Sequence, residues 1–144
     1  MKKNIALIAH DARKVNLLSW AIRNKKILEN HSLYATMTTG GLIEKELGMK
    51  ITKFNSGPLG GDLQIGAKIA AGEIDCLIFF YDPLAIHPHE SDVKALQRIA
   101  TLKDIPAIYN ESTGNILVAS PFLNASCLEC KNVIQLRTKK VSNG

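Results

Sequence analysis

Asp62 and His89 are the two side chains of this sequence best suited to proton chemistry. Asp62 follows Gly60-Gly61 and opens a stretch with helical periodicity. An aspartate there is commonly a helix N-cap. It is equally placed to be a general base that two flexible glycines let approach a substrate closely. His89 stands between Pro88 and Glu90, near Asp82 and Asp92. A histidine held by carboxylates polarises a carbonyl or shuttles a proton; otherwise it is a surface residue of a proline-rich loop. His87 in the same loop is the weaker candidate, because nothing around it lends further support.

A second set of residues suits phosphate. Thr38-Thr39-Gly40-Gly41 offers hydroxyls and open backbone ahead of a helix, where free N–H groups and a partial positive charge favour anions. Thr39 could instead simply cap that helix. Ser56-Gly57 offers donors at an equivalent place, and Lys14 lies near the first segment. The standard nucleotide motifs are missing. No G-x-G-x-x-G follows a strand, and Gly61 to Lys68 reads G-x-x-x-x-G-x-K, one residue too long for a P-loop.

These residues fall at the ends of short apolar runs. Strands are predicted over Ile5–Ala9, Leu33–Thr36, Ile51–Phe54, Leu77–Tyr81 and Ala107–Tyr109. Helices are predicted over Lys14–Leu28, Leu42–Leu47, Leu63–Ala71 and Asp92–Leu102, with Gly48, Gly72 and Asp104-x-Pro106 as stops. The alternation implies βαβ units and a parallel sheet covered on both faces. Ligands of such sheets bind beyond the carboxyl ends of the strands. Four of the five predicted strands are followed there by a polar, glycine-rich or ionisable loop.

Composition narrows the class. The 144 residues, 46% hydrophobic and 22% charged, suit a single globular domain over residues 1–144. The +5 net charge is dispersed, without an aromatic stripe, so a small anionic ligand is expected rather than nucleic acid. No apolar run suits a bilayer, and Ile5–Ala9 ends abruptly at His10-Asp11-Ala12-Arg13. That run reads as a strand rather than a signal peptide, and the expected setting is cytoplasmic, without membrane partners. Three cysteines fit a reducing compartment; Cys127-x-x-Cys130 lacks the second pair a zinc site needs.

Taken together, Ala9-His10-Asp11, Thr36–Gly40, Ser56–Asp62, Phe79–Leu84 and Pro88–Leu96 resemble the methylglyoxal synthase family, over roughly Ile5 to Asn110. The resemblance implies an α/β three-layer sandwich, Rossmann-like, with a mostly parallel sheet of about five strands. It implies a homohexamer that converts dihydroxyacetone phosphate to methylglyoxal and inorganic phosphate, with no metal and no organic cofactor. Phosphate is then product and expected inhibitor. By position, Asp62 matches the catalytic base. His10, Lys14, Thr36, Met37, Thr38, Thr39, Ser56, Gly57 and His89 match substrate-binding positions. Asp11, Asp82 and Asp92 match further carboxylates of the site, and His89 also suits the electrophile. Met37 replaces a glycine, Tyr81 a tryptophan and Ser91 a proline. The alternative is a non-catalytic, effector-binding module of the same domain type, which would need the phosphate loops but not Asp62 together with His89.

Overall fold

The computed structural model describes residues 2–123. Cys127 and Cys130 lie outside the described residues. Five strands form one all-parallel sheet: β1 (Asn4–Ala9), β2 (Ser32–Thr36), β3 (Ile51–Phe54), β4 (Cys76–Phe80) and β5 (Ala107–Ile108), in the order β3-β2-β1-β4-β5. The central pair, β1 and β4, are near-continuous apolar runs, as strands buried on both faces must be.

Their side chains alternate between two cores. Ile5, Leu7, Cys76, Ile78 and Phe80 pack beneath α1 (Lys14–Arg23), α2 (Lys25–Leu28), α3 (Met37–Leu47) and α6 (Glu111–Ala119). Ala6, Ile8, Leu77 and Phe79 pack on the other face against α4 (Gly61–Ala70) and α5 (Glu90–Leu102). The result is the three-layer arrangement expected from the alternating pattern. The winding reverses between β1 and β4, since the connections from β1 and β2 run over one face and those from β3 and β4 over the other. That switch opens a crevice at the carboxyl ends of these two strands.

Three helix predictions need correction. The helix predicted over Lys14–Leu28 breaks at Asn24, whose side-chain amide donates to Trp20 O at 2.8 Å and competes with the helical ladder. The helix predicted to start at Leu42 starts at Met37, so Thr38-Thr39-Gly40-Gly41 is its first turn rather than a preceding loop. Two glycines and two threonines are poor helix formers. Here Gly40 is required by packing: a Cβ on it would lie 2.6 Å from Lys53 Cγ. Helix α6 was not anticipated. Its signal was present in Asn110-x-x-Thr113, where the Asn110 side chain accepts from Thr113 N at 3.0 Å ahead of an apolar run. The predicted stops hold, with Gly48, Gly72 and Asp104 all left-handed.

The turn before α4 is tight. Gly61 N donates to Ser56 O at 2.9 Å, and a Cβ on Gly61 would sit 1.8 Å from Asn55 O. Gly61→Ala is therefore expected to destabilise the fold by about 1–3 kcal/mol as the turn is forced off the helix. A urea titration checks this; an unmoved midpoint at unchanged slope would show that the turn yields without cost.

Candidate active site

The crevice holds a cavity of about 550 Å³. Of the residues singled out from the sequence, ten line it: His10, Asp11, Lys14, Thr36, Thr38, Ser56, Gly57, Asp62, Asp82 and His89. Met37, Thr39 and Asp92 do not. Met37 is half exposed at the start of α3, in ordinary helical backbone, so no glycine is needed there. Thr39 is buried, 3.4 Å from the Thr36 hydroxyl. Asp92 lies in the first turn of α5 and acts on Asp62 only through its charge.

The walls of the cavity carry two kinds of group. One is built for anions. Helix α3 begins after Thr36, which is extended, and its first turn points free N–H groups outward. Ser56 and Gly57 start the short 3-10 turn Gly57–Leu59 beside it. Lys14 contributes a cation, its side chain 19% exposed and its Nζ 2.5 Å from Asp11 Oδ1. That ammonium draws the Asp11 carboxyl below its ordinary value. The Asp11 side chain itself is 97% exposed, at the rim.

The other is the titratable pair. Asp62 is only 1% exposed, and neither carboxylate oxygen accepts a hydrogen bond from the described residues. His89 Nε2 approaches its Oδ2 at 3.5 Å. Gly57 closes over this pair, since a Cβ there would meet His89 Nε2 at 2.8 Å and Asp62 Oδ2 at 3.5 Å. Burial pushes the Asp62 pKa up, the positive character of His89 opposes this, and the Asp92 charge adds to it. The start of α4, where Asp62 lies, favours the charged carboxylate, but burial outweighs that effect. A buried carboxylate without protein donors is a costly arrangement that serves chemistry better than stability.

The expected role of Asp82 also changes. Its backbone N–H donates to His10 Nδ1 at 3.0 Å, and its carboxylate accepts from Leu84 N at 3.0 Å. Asp82 thus orients His10 and its own loop, whereas sequence proximity suggested that it holds His89. Because Nδ1 of His10 accepts, the ring proton sits on Nε2. Burial, with His87 and His89 beside it, lowers the His10 pKa to about 4, so the ring is a neutral donor. His87, set aside in the sequence, proves to line the cavity, its ring stacked on His10 at 3.6 Å. Only its two-residue spacing from His89 hinted at this. Among the described residues, no group of three or more His, Cys, Asp or Glu side chains could hold a metal ion.

A family model described as the MGS-like domain matches residues 16–109. Methylglyoxal synthase of Photorhabdus laumondii is 52% identical over 124 residues, spanning 86% of this chain and 82% of its own. The chain belongs to the methylglyoxal synthase family. The Clostridium acetobutylicum methylglyoxal synthase is likewise 52% identical, over 85% of this chain and 84% of its own. The crystal structure of methylglyoxal synthase from Elizabethkingia anophelis NUHP1 matches with a TM-score of 0.80 at 44% identity, covering 85% of this chain and 80% of that one. These similarities bear out the three-layer fold and the resemblance seen in the sequence. In a methylglyoxal synthase-like domain, the loops that the resemblance singled out are thus the ones gathered at one sheet edge.

Proposed function

We propose that this chain is a lyase that converts dihydroxyacetone phosphate to methylglyoxal and inorganic phosphate. The observation that carries the reading is Asp62: a buried carboxylate without hydrogen-bond donors, 3.5 Å from His89, in the same cavity as Lys14 and the start of α3. The identity with curated methylglyoxal synthases supports it.

The chemistry follows from these groups. Asp62 removes a proton from the carbon next to the ketone. The charge that develops on the ketone oxygen is met by donors on His89 and on the neutral His10. Collapse of the enediolate breaks the bond between the opposite carbon and the phosphate oxygen, and the enol left behind takes up a proton on that carbon, which becomes the methyl group of methylglyoxal. The departing phosphate is held by Lys14, Ser56 and the N–H groups of α3. Asp82 keeps His10 aligned. No step in this scheme calls on a cofactor.

Incubating the protein with dihydroxyacetone phosphate and assaying both dicarbonyl and free phosphate tests the reading. Phosphate released with dihydroxyacetone in place of the dicarbonyl would make the protein a phosphatase. A non-catalytic effector module would have no use for the costly Asp62–His89 pair. The same reading takes residues 1–144 as one domain that works as a homohexamer in the cytoplasm, inhibited by its phosphate product. No helix among the described residues is long and apolar enough to cross a membrane.

Lys14→Ala tests the anion wall. A charge-assisted contact is worth about 1.5–3 kcal/mol, so KM should rise about tenfold or more, with inorganic phosphate losing affinity in parallel. An unchanged KM would remove Lys14 from the phosphate subsite.

A further inference from the structure

We propose that His87, as an imidazolium, is a second cationic contact for the substrate's phosphate beside Lys14, so that this chain binds anions more tightly as pH falls. The inference rests on the phosphate-ester reading above.

The geometry singles out His87 within its loop. Its neighbours face solvent, with Leu84 91% and Ile86 100% exposed. The His87 ring instead turns inward, lies flat on His10 at 3.6 Å and 22°, and lines the same cavity as Lys14, Thr38 and Ser56. Its Nε2 is buried and makes no hydrogen bond to the described residues. A polar nitrogen buried in a cavity wall without a partner is built to meet a ligand.

The stack decides which ring carries charge. Two imidazolium rings at this separation repel strongly. His10 is held neutral, its Nδ1 occupied by the Asp82 N–H. His87, whose buried Nε2 has no partner among the described residues, is the member of the stack left to carry the charge.

The groups around it support a cation. From the segment after β1 it faces His10 and the Asp11 carboxylate, which is ion-paired with Lys14. From α4 it faces Asp62. From its own loop and α5 it neighbours Tyr81, Asp82, His89 and Glu90. The carboxylates of Asp11 and Asp62 put negative charge on this side of the cavity. Lys14 and an arriving phosphate bring opposite charges, and the phosphate is the larger. Anion binding should thus draw a proton onto His87, and the linkage runs both ways.

Sulfate is the probe, because it keeps its double charge where phosphate changes ionisation. Calorimetry would compare His87→Gln and His87→Lys with the parent, all carrying Asp62→Asn so that Asp62 does not titrate. The parent should bind sulfate about tenfold more tightly near pH 5.5 than near pH 8, with proton uptake seen as a buffer-dependent heat. His87→Gln should bind weakly with a flattened pH response, and His87→Lys tightly throughout. A His87→Gln variant that keeps the parent's pH slope and proton uptake would overturn the proposal, as would a protein that binds no sulfate. A sulfate response as described in a protein that does not turn over dihydroxyacetone phosphate would uphold His87 as an anion contact while sinking the proposed reaction.

Discussion

Replacing Asp62 by asparagine is expected to cut turnover at least about 10²–10⁴-fold, the usual worth of a positioned base. The substitution keeps the shape of a side chain that is 1% exposed and removes only its ability to take a proton. Sulfate or phosphate binding should survive, since the anion wall is built from other elements. Exchange of the substrate's carbon-bound proton with solvent should vanish together with turnover. Near-normal turnover in Asp62→Asn, with exchange abolished instead in Asp92→Asn, would move the base to α5.

The same residue sets the acid side of the pH profile. Burial raises the Asp62 pKa above its ordinary 3.8. Turnover should therefore fall, as pH drops, at a higher pH than for an exposed aspartate. The effect on stability has the opposite sense. Between 3.8 and the raised folded value, the folded state binds more protons than the unfolded one, so stability declines as pH climbs through that window. Above it the ionised, donor-less carboxylate is a standing cost. Asp62→Asn should accordingly be no less stable than the parent at neutral pH, and a thermal melt reads this directly. An inactive variant that is also much less stable would mean that Asp62 holds the fold rather than the chemistry.

His89→Asn is expected to lower kcat by about 10²–10³-fold, comparable to losing one oxyanion donor. KM should move far less, because the charge on the substrate oxygen develops mainly in the transition state. The ring's place explains the size of the effect. His89 Nε2 is 3.5 Å from the carboxylate of the proposed base, so in that reading it stands where the neighbouring oxygen becomes negative. Asparagine cannot reach the same point with the same donor. His10 remains as a neutral donor and should leave a residual rate. A loss confined to KM would make His89 a simple substrate contact and shift the electrophilic role to His10.

The sequence alone determined the layers and the loops. Apolar runs such as Ile5–Ala9 and Leu77–Tyr81, short and set between helical stretches, read as central strands, and their side chains alternate between two cores. That pattern fixed a parallel sheet, and the sheet fixed where polar loops must gather. Asp62, His89, Lys14 and Ser56 were legible for that reason, as residues of reactive type in loops at one sheet edge. Local cues failed where packing overrides propensity. The first turn of α3 is helical despite two threonines and two glycines, and Gly40 within it passes close to Lys53, where a side chain would clash.

Only the tertiary structure decided what each group does. Burial is a property of the assembled cavity, and it raises the Asp62 pKa against the pull of a helix N-terminus. The partner of Asp82 is His10, 72 residues away, and no spacing rule spans that distance. In the sequence His87 was the weaker candidate, because nothing around it lent further support. Its stacking on His10 joins the ends of β1 and β4, a proximity created by the reversal of winding between two strands that are distant in sequence and adjacent in space.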